Sequence, residues 1–222
     1  MVEKLLSNKK RVFWEALFLS VVVFLFGMLI GIAFESSKLT DINDYYIQSE
    51  TSIMDAFALS AYSDIDATAC PVLKQANIDF ANNIYKEAVL LEDYENAGKI
   101  TDSMKVMHKK YDVLRTFLWI NTMKTAEKCD RDYNTVVYLY VSETDDLTKK
   151  ATQKVWSRVL YDLKQEQGEN VLLIPLAVDK DLVSLDSVLE RFEIPSYPAV
   201  IINEQYVLTQ LASTDEINQY LN

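Results

Sequence analysis

Residues 12–34 read VFWEALFLSVVVFLFGMLIGIAF, and apart from Glu15 no charge interrupts them. As a helix, about twenty such residues cross a hydrocarbon core of roughly 30 Å. A chain with this stretch near its start is expected to place everything that follows on one side of a membrane. A removable signal peptide has a shorter apolar region and small residues at its exit. Here the run is longer and leaves through Ala33-Phe34-Glu35, so an uncleaved signal-anchor is the expectation. Lys4, Lys9, Lys10 and Arg11 precede the run, and only Lys38 follows closely. The positive-inside rule then keeps residues 1–11 in the cytoplasm, makes 12–34 a single-pass transmembrane helix and exports the remainder. Trp14 and Glu15 suit the interfacial edge. Gly27 and Gly31 form a GxxxG pair that can bring two copies of a membrane helix together, a candidate homodimer contact.

The formal charge is −11. The exported part is more acidic still, because the basic residues before the span outnumber Glu3 and Glu15. Such a surface argues against nucleic acid as a partner. With four Gly and four Pro there is no room for a long flexible linker.

Residues 35–132 have a helical texture. Thr40 or Asp41 suits a helix start. Leu39, Ile42, Tyr46, Ile53, Phe57 and Ala61 make a first apolar stripe. Pro71 fits the first turn of a second helix, with Leu73, Ala76, Phe80, Ile84, Ala88 and Leu91 on its apolar side. Gly98 marks a break. In the third helix Ile100, Met104, Met107, Tyr111, Leu114 and Leu118 follow the a/d spacing of a coiled coil. Short joins favour antiparallel neighbours. The expectation is an antiparallel three-helix bundle forming a stalk.

Cys70 and Cys129 are the only cysteines. One opens the second helix and the other closes the third, and their midpoint falls beside the Gly98 turn. In an antiparallel hairpin, residues equidistant from the turn meet, so both thiols fall at one end, as a structural disulfide requires. An oxidising compartment permits the bond. A redox-active pair is the competing reading, although catalytic dithiols are usually local and activated by nearby positive charge. Two cysteines and a distant His108, expected to be solvated, do not make a metal set.

From residue 133 the period changes. Residues 135–141, TVVYLYV, read as a strand. Asp145 or Asp146 caps a helix over 147–167, with Ala151, Val155, Val159 and Leu163 as its stripe and Gly168 ending it. Residues 171–178, VLLIPLAV, have the texture of a strand covered on both faces. Strand, helix and strand imply a βαβ unit with parallel strands. A shorter helix over 182–192, two further strands and a closing helix from Thr214 complete the order β-α-β-α-β-β-α.

This order, the segment Phe192-Glu193-Ile194-Pro195-Ser196-Tyr197-Pro198-Ala199-Val200 and the Leu-x-Val-Asp of residues 176–179 resemble the thioredoxin superfamily. The resemblance covers 133–222 and leaves the stalk outside. It implies a cis peptide before Pro198 and makes Tyr197, Pro198 and Ala199 candidate contacts for an extended polypeptide. Redox members carry C-x-x-C after the first strand, whereas this chain reads Ser142-Glu143-Thr144-Asp145-Asp146 there. The thiol chemistry does not carry over, and Ser142 lacks a recognisable base.

The sequence thus describes a membrane-anchored α plus α/β chain: cytoplasmic tail 1–11, transmembrane helix 12–34, helical stalk 35–132 and thioredoxin-like domain 133–222. The expected role is a non-catalytic binding module outside the cytoplasm, an adaptor, assembly factor or holdase for exported protein. No catalytic residue, cofactor or metal is assigned. The alternatives are a thiol–disulfide oxidoreductase using Cys70 and Cys129, and a membrane sensor subunit.

Overall fold

The structure is a computed structural model. It describes residues 2–63, 67–96, 102–129 and 133–221, with side chains over 11–33, 47–62, 68–85, 106, 108–129 and 133–221. Two compact units are present, Met1–Tyr45 and Tyr46–Asn222.

Helix α1 (Val2–Ser63) supplies the whole of the first unit and opens the second. Its Arg11–Ala33 stretch is long and apolar enough to cross a membrane, and none of it is buried within the protein. Arg11 Nε donates to Glu15 Oε1 at 3.0 Å, one turn away, so the single acid of the run has a local counter-charge. Gly27 and Gly31 are open, with nothing within 4 Å of where a Cβ would stand. The helix passes through Thr40 and Asp41 without starting there, because no Gly or Pro between residues 32 and 63 interrupts it.

The second unit adds α2 (Cys70–Asn96), α3 (Asp102–Lys128), β1 (Asn134–Tyr140), α4 (Leu147–Gln167), β2 (Val171–Ala177), α5 (Val183–Leu189), β3 (Ala199–Ile202), β4 (Tyr206–Leu208) and α6 (Thr214–Asn218). The four strands form one mixed sheet in the order β2-β1-β3-β4. β1 and β2 are parallel; β3 is antiparallel to β1, and β4 to β3. Asp146 caps α4 by accepting the N–H groups of Thr148 and Lys149, and Gly168 ends it at φ 55°. Asn203, Glu204 and Gln205 turn β3 into β4; Asn203 and Glu204 are both in the left-handed region, and the Gln205 N–H closes the turn on the Ile202 carbonyl at 3.0 Å.

Helices cover both faces, which is why β1 and β2 are nearly continuous apolar runs. On one face Val136, Tyr138, Val171, Leu173, Val200 and Ile202 pack with Trp156, Leu160, Leu163 and Ile217 from α4 and α6. The buried stripe of α4 is therefore Trp156-Leu160-Leu163, not Ala151-Val155-Val159-Leu163. Leu163 is common to both, Val159 is half-buried, and Ala151 and Val155 face solvent. The larger side chains take the face with most area to bury.

On the other face Val137, Leu139, Leu172, Ile174, Leu176 and Ile201 are buried on the side where α3 packs against β2, with α5 beside α3. α3 packs against the sheet through β2. Tyr111, Leu114 and Leu118 of its expected seam are buried. The seam positions Ile100, Met104 and Met107 lie outside the residues whose side chains are described. Asp112, Arg115, Thr116, Asn121, Thr122 and Thr125 of α3 are also buried. Their hydrogen bonds run to one another, to the backbone and to Asn77 of α2, while Arg115 Nε and Asn121 Oδ1 have no partner among the described residues. Arg115 pairs with Asp112 at 3.3 Å. The Thr116 and Thr122 hydroxyls donate to the carbonyls of Asp112 and Trp119.

α2 is tied to α3 by polar contacts and a covalent bond. Asn121 Nδ2 donates to Asn77 Oδ1 at 2.7 Å, and Asn77 Nδ2 donates to Thr125 Oγ1 at 3.2 Å. Cys70 and Cys129 are joined in a disulfide with Cα atoms 5.7 Å apart. Residues 46–63 of α1 lean on α3 through an edge-to-face contact of Phe57 with Phe117 at 5.3 Å.

Candidate functional site

Because β1 and β2 are parallel, their carboxyl ends share one end of the sheet, and antiparallel β3 begins there. The register pairs Leu139 with Ala199, so the Tyr197–Pro198 peptide, which is cis, follows opposite Tyr140 and Val141. α4 and α5 also start at this end. Open α/β sheets bind ligands at the carboxyl ends of parallel strands, where helix starts and loops converge.

Asp179 organises the end. Its carboxylate accepts from the Ser142 N–H at 3.0 Å, the Ser142 hydroxyl at 3.0 Å and the Glu143 N–H at 2.7 Å. The turn after β2 thereby holds the loop after β1. Lys180 Nζ pairs with Glu143 at 3.1 Å across the same gap. Asp181 adopts φ 51°, which bends the chain into α5. Gln153 of α4 closes the end of β1, its amide accepting from the Val141 N–H at 2.9 Å and donating to the Val141 carbonyl at 3.0 Å.

Partial burial pushes the Asp179 carboxyl up, but the donors from Ser142 and Glu143 outweigh it and hold the group below the usual carboxylate range. A carboxylate so stabilised is a poor base. Its contact with the Ser142 hydroxyl is structural, not the start of a nucleophile pair. Burial and the Asp186 carboxylate both raise Tyr197, which stays a neutral phenol.

A test follows from this geometry. Asp179→Ala is expected to speed hydrogen exchange at the Ser142 and Glu143 amides by about tenfold or more, leaving β1 and β2 protected, as read by exchange mass spectrometry. The native state prefers the ionised carboxylate, so its contribution is present above the usual carboxylate pKa. It is lost as pH falls through the lowered native value. Unchanged exchange in the variant would show that Asp179 does not hold the loop.

The three expected contact residues differ in access. Tyr197 is half-buried, Pro198 is buried and Ala199 is 0 % exposed. Side-chain contact through Ala199 is therefore closed, since its methyl faces the core. Two open positions carry the apolar surface instead: Leu147, 78 % exposed, begins α4, and Val183, 80 % exposed, begins α5. Their signal in the sequence is an apolar residue at a helix start outside any buried stripe. Glu143, Asp145, Asp146, Asp181 and Asp186 make their surroundings acidic.

His108 is half-buried, not solvated. It lies one turn before Asp112, whose carboxylate accepts from the Ala177 N–H at 3.4 Å at the carboxyl end of β2. The free edge of β2 is closed to strand addition, because Ala177 is engaged, Pro175 has no N–H and Lys164 Nζ takes the Val171 carbonyl at 2.8 Å.

The cysteines sit elsewhere. Cys129 lies between α3 and the start of β1, at the opposite end of the sheet from Tyr197. A cavity of about 300 Å³ opens at that end, between Pro71, Lys74, Gln75 and Ile78 of α2 and Tyr133 and Asn170. Among the described residues no three His, Cys, Asp or Glu side chains are grouped to hold a metal.

No protein-family model matches the chain, and no curated protein does. Solved structures give faint likenesses. One, from a malarial protein, has 17% identity and a TM-score of 0.32, spanning 40% of this chain and 99% of that one. Another is the germline-specific thioredoxin Deadhead of Drosophila melanogaster, with 19% identity and a TM-score of 0.29, spanning 46% of this chain and 87% of that one.

Proposed function

We propose that the chain is a membrane-tethered binding module with a thioredoxin-like sheet domain that does not perform thiol chemistry. In this reading residues 12–34 span the membrane, residues 1–11 remain cytoplasmic and the sheet domain faces the exported compartment. Its ligand is an extended, partly apolar segment of exported polypeptide, held as by an adaptor, assembly factor or holdase. The observation that carries the reading is the open apolar pair Leu147 and Val183 at the starts of α4 and α5, at the end of the sheet where Tyr197 also lies.

The chemistry of that end favours binding over turnover. The loop amides of Ser142 and Glu143 are committed to Asp179, and both cysteines are bonded to each other at the far end. Desolvating two large aliphatic side chains supplies an attractive term of about 1.5–3 kcal/mol each.

The experiment uses the full chain in nanodiscs and a labelled, reduced and carboxymethylated polypeptide that cannot fold. Fluorescence anisotropy is expected to show binding that Leu147→Asp with Val183→Asp weakens at least tenfold. Both positions are exposed, so the fold is spared. Equal affinity of wild type and variant would remove this surface from the function. Reduction of insulin by the wild-type chain would overturn the non-catalytic reading.

A further inference from the structure

Residues 47–62 of α1 carry a buried stripe and an exposed, mostly apolar one on opposite sides. The inner one, Ser49, Ile53, Ala56 and Ser60, is buried at 2 % exposure or less, with spacings of four, three and four. The outer one, Ile47, Thr51, Met54, Ala58 and Ala61, has spacings of four, three, four and three, and every member is exposed. Ile47 and Met54 are 51 % and 53 % exposed. The Thr51 hydroxyl donates to the Ile47 carbonyl at 2.9 Å, so it needs no outside partner. A surface helix needs one apolar stripe and shows charge opposite it. A second stripe at a/d spacing, with two alanines that allow close approach, is the seam of a helix pair.

The charges beside the seam select what lies on it. With Ile47, Met54 and Ala61 at d and Thr51 and Ala58 at a, Glu50 falls at g and Asp55 at e. In a parallel pair each g residue meets the e residue five positions further along its partner. Two copies of this helix would set Glu50 against Asp55 twice. An antiparallel pair matches e with e and g with g, so registers centred on Glu50 or on Asp55 again bring acid to acid. Parallel self-pairing, the orientation open to two copies anchored in one membrane, is thus penalised, whereas lysine or arginine beside a complementary seam would meet opposite charge on both flanks. The surplus of acid over the whole chain acts in the same direction.

We propose that the outer face of residues 47–62 docks an amphipathic helix of a different protein, with an apolar a/d seam and basic e and g positions. This site lies outside the sheet-end surface and uses none of its residues.

The test takes the full chain in nanodiscs of zwitterionic lipid and two labelled three-heptad peptides. Both have leucine and isoleucine at a and d; one has lysine at e and g, the other glutamate. The lysine peptide is expected to bind at least tenfold more tightly than the glutamate peptide. Met54→Glu with Ala58→Glu is expected to weaken it at least tenfold. Glu50→Lys with Asp55→Lys should reverse the preference, and Leu147→Asp with Val183→Asp should leave it unchanged. All these positions are exposed, so the fold is preserved. Equal binding of the two peptides would overturn the proposal, as would indifference to the seam substitutions. Spontaneous disulfide pairing of two Met54→Cys chains in one nanodisc would also overturn it, by showing that a second copy takes the face.

Discussion

Exchanging Cys70 for serine will destabilise the 46–222 unit by about 4 kcal/mol, the chain-entropy value for a closed loop of roughly 60 residues. The loop contains α2 and α3. α3 packs against the sheet through β2, so slack introduced at Cys129 is not confined to the helices. For a unit of this size each kcal/mol moves the midpoint by about 2–4 °C, which gives a fall of roughly 8–16 °C. Calorimetry on the full chain in detergent measures it. Wild type with reductant should fall equally, and the serine variant should not respond to reductant. A shift below about 2 °C in both would mean that the polar ties from Asn77 to Asn121 and Thr125 hold α2 in place without the covalent bond.

The local rules that made much of this legible are the strong ones. The branched and aromatic runs of β1 and β2, the acid before Leu147 and the glycine after Gln167 each favour one conformation, and each element formed where they stand. Equal distance from Gly98, which lies outside the described residues, points to the pairing of Cys70 with Cys129 that the structure has. What was missed has one physical cause. The a/d spacing on α3 picks out one apolar stripe and says nothing of the polar Asp112, Arg115, Asn121 and Thr125. Asp112 and Arg115 are buried as a pair beside β2, and Asn121 and Thr125 are buried against Asn77 of α2, pairings that periodicity does not register. His108 was misplaced. The α4 stripe slipped for a related reason. Ala151, Val155, Val159 and Leu163 keep helical spacing, but Trp156 and Leu160 have more area to bury. At the candidate site the missing thiols could be read directly. The anchoring of Ser142 and Glu143 by Asp179 could not, since it joins residues 36 and 37 positions apart across two strands.

The buried pair on α3 yields the other large effect. Asp112→Ala will cost about 3–5 kcal/mol, because it leaves the Arg115 guanidinium in the interior without its carboxylate. Replacing both, Asp112→Leu with Arg115→Met, will cost far less than the single change, since neither desolvated charge remains. A double-mutant cycle by denaturant titration of the full chain reads the difference as a coupling of several kcal/mol, and additive effects would refute the pairing. Arg115→Met alone behaves differently again. Burial raises the Asp112 carboxyl above its usual range, while Arg115, the Ala177 N–H and His108 pull it down. Removing Arg115 deletes the largest of these opposing influences, so the native carboxyl binds its proton more tightly still. A native pKa above the unfolded value gives stability that is fully present below the unfolded pKa and lost as pH rises through the native one. The penalty of Arg115→Met should therefore be small near about pH 4 and grow towards neutrality. Asp112→Ala, which has no carboxyl to protonate, should lack that growth. A flat profile for Arg115→Met would mean that water reaches the Asp112 carboxylate once the arginine has gone.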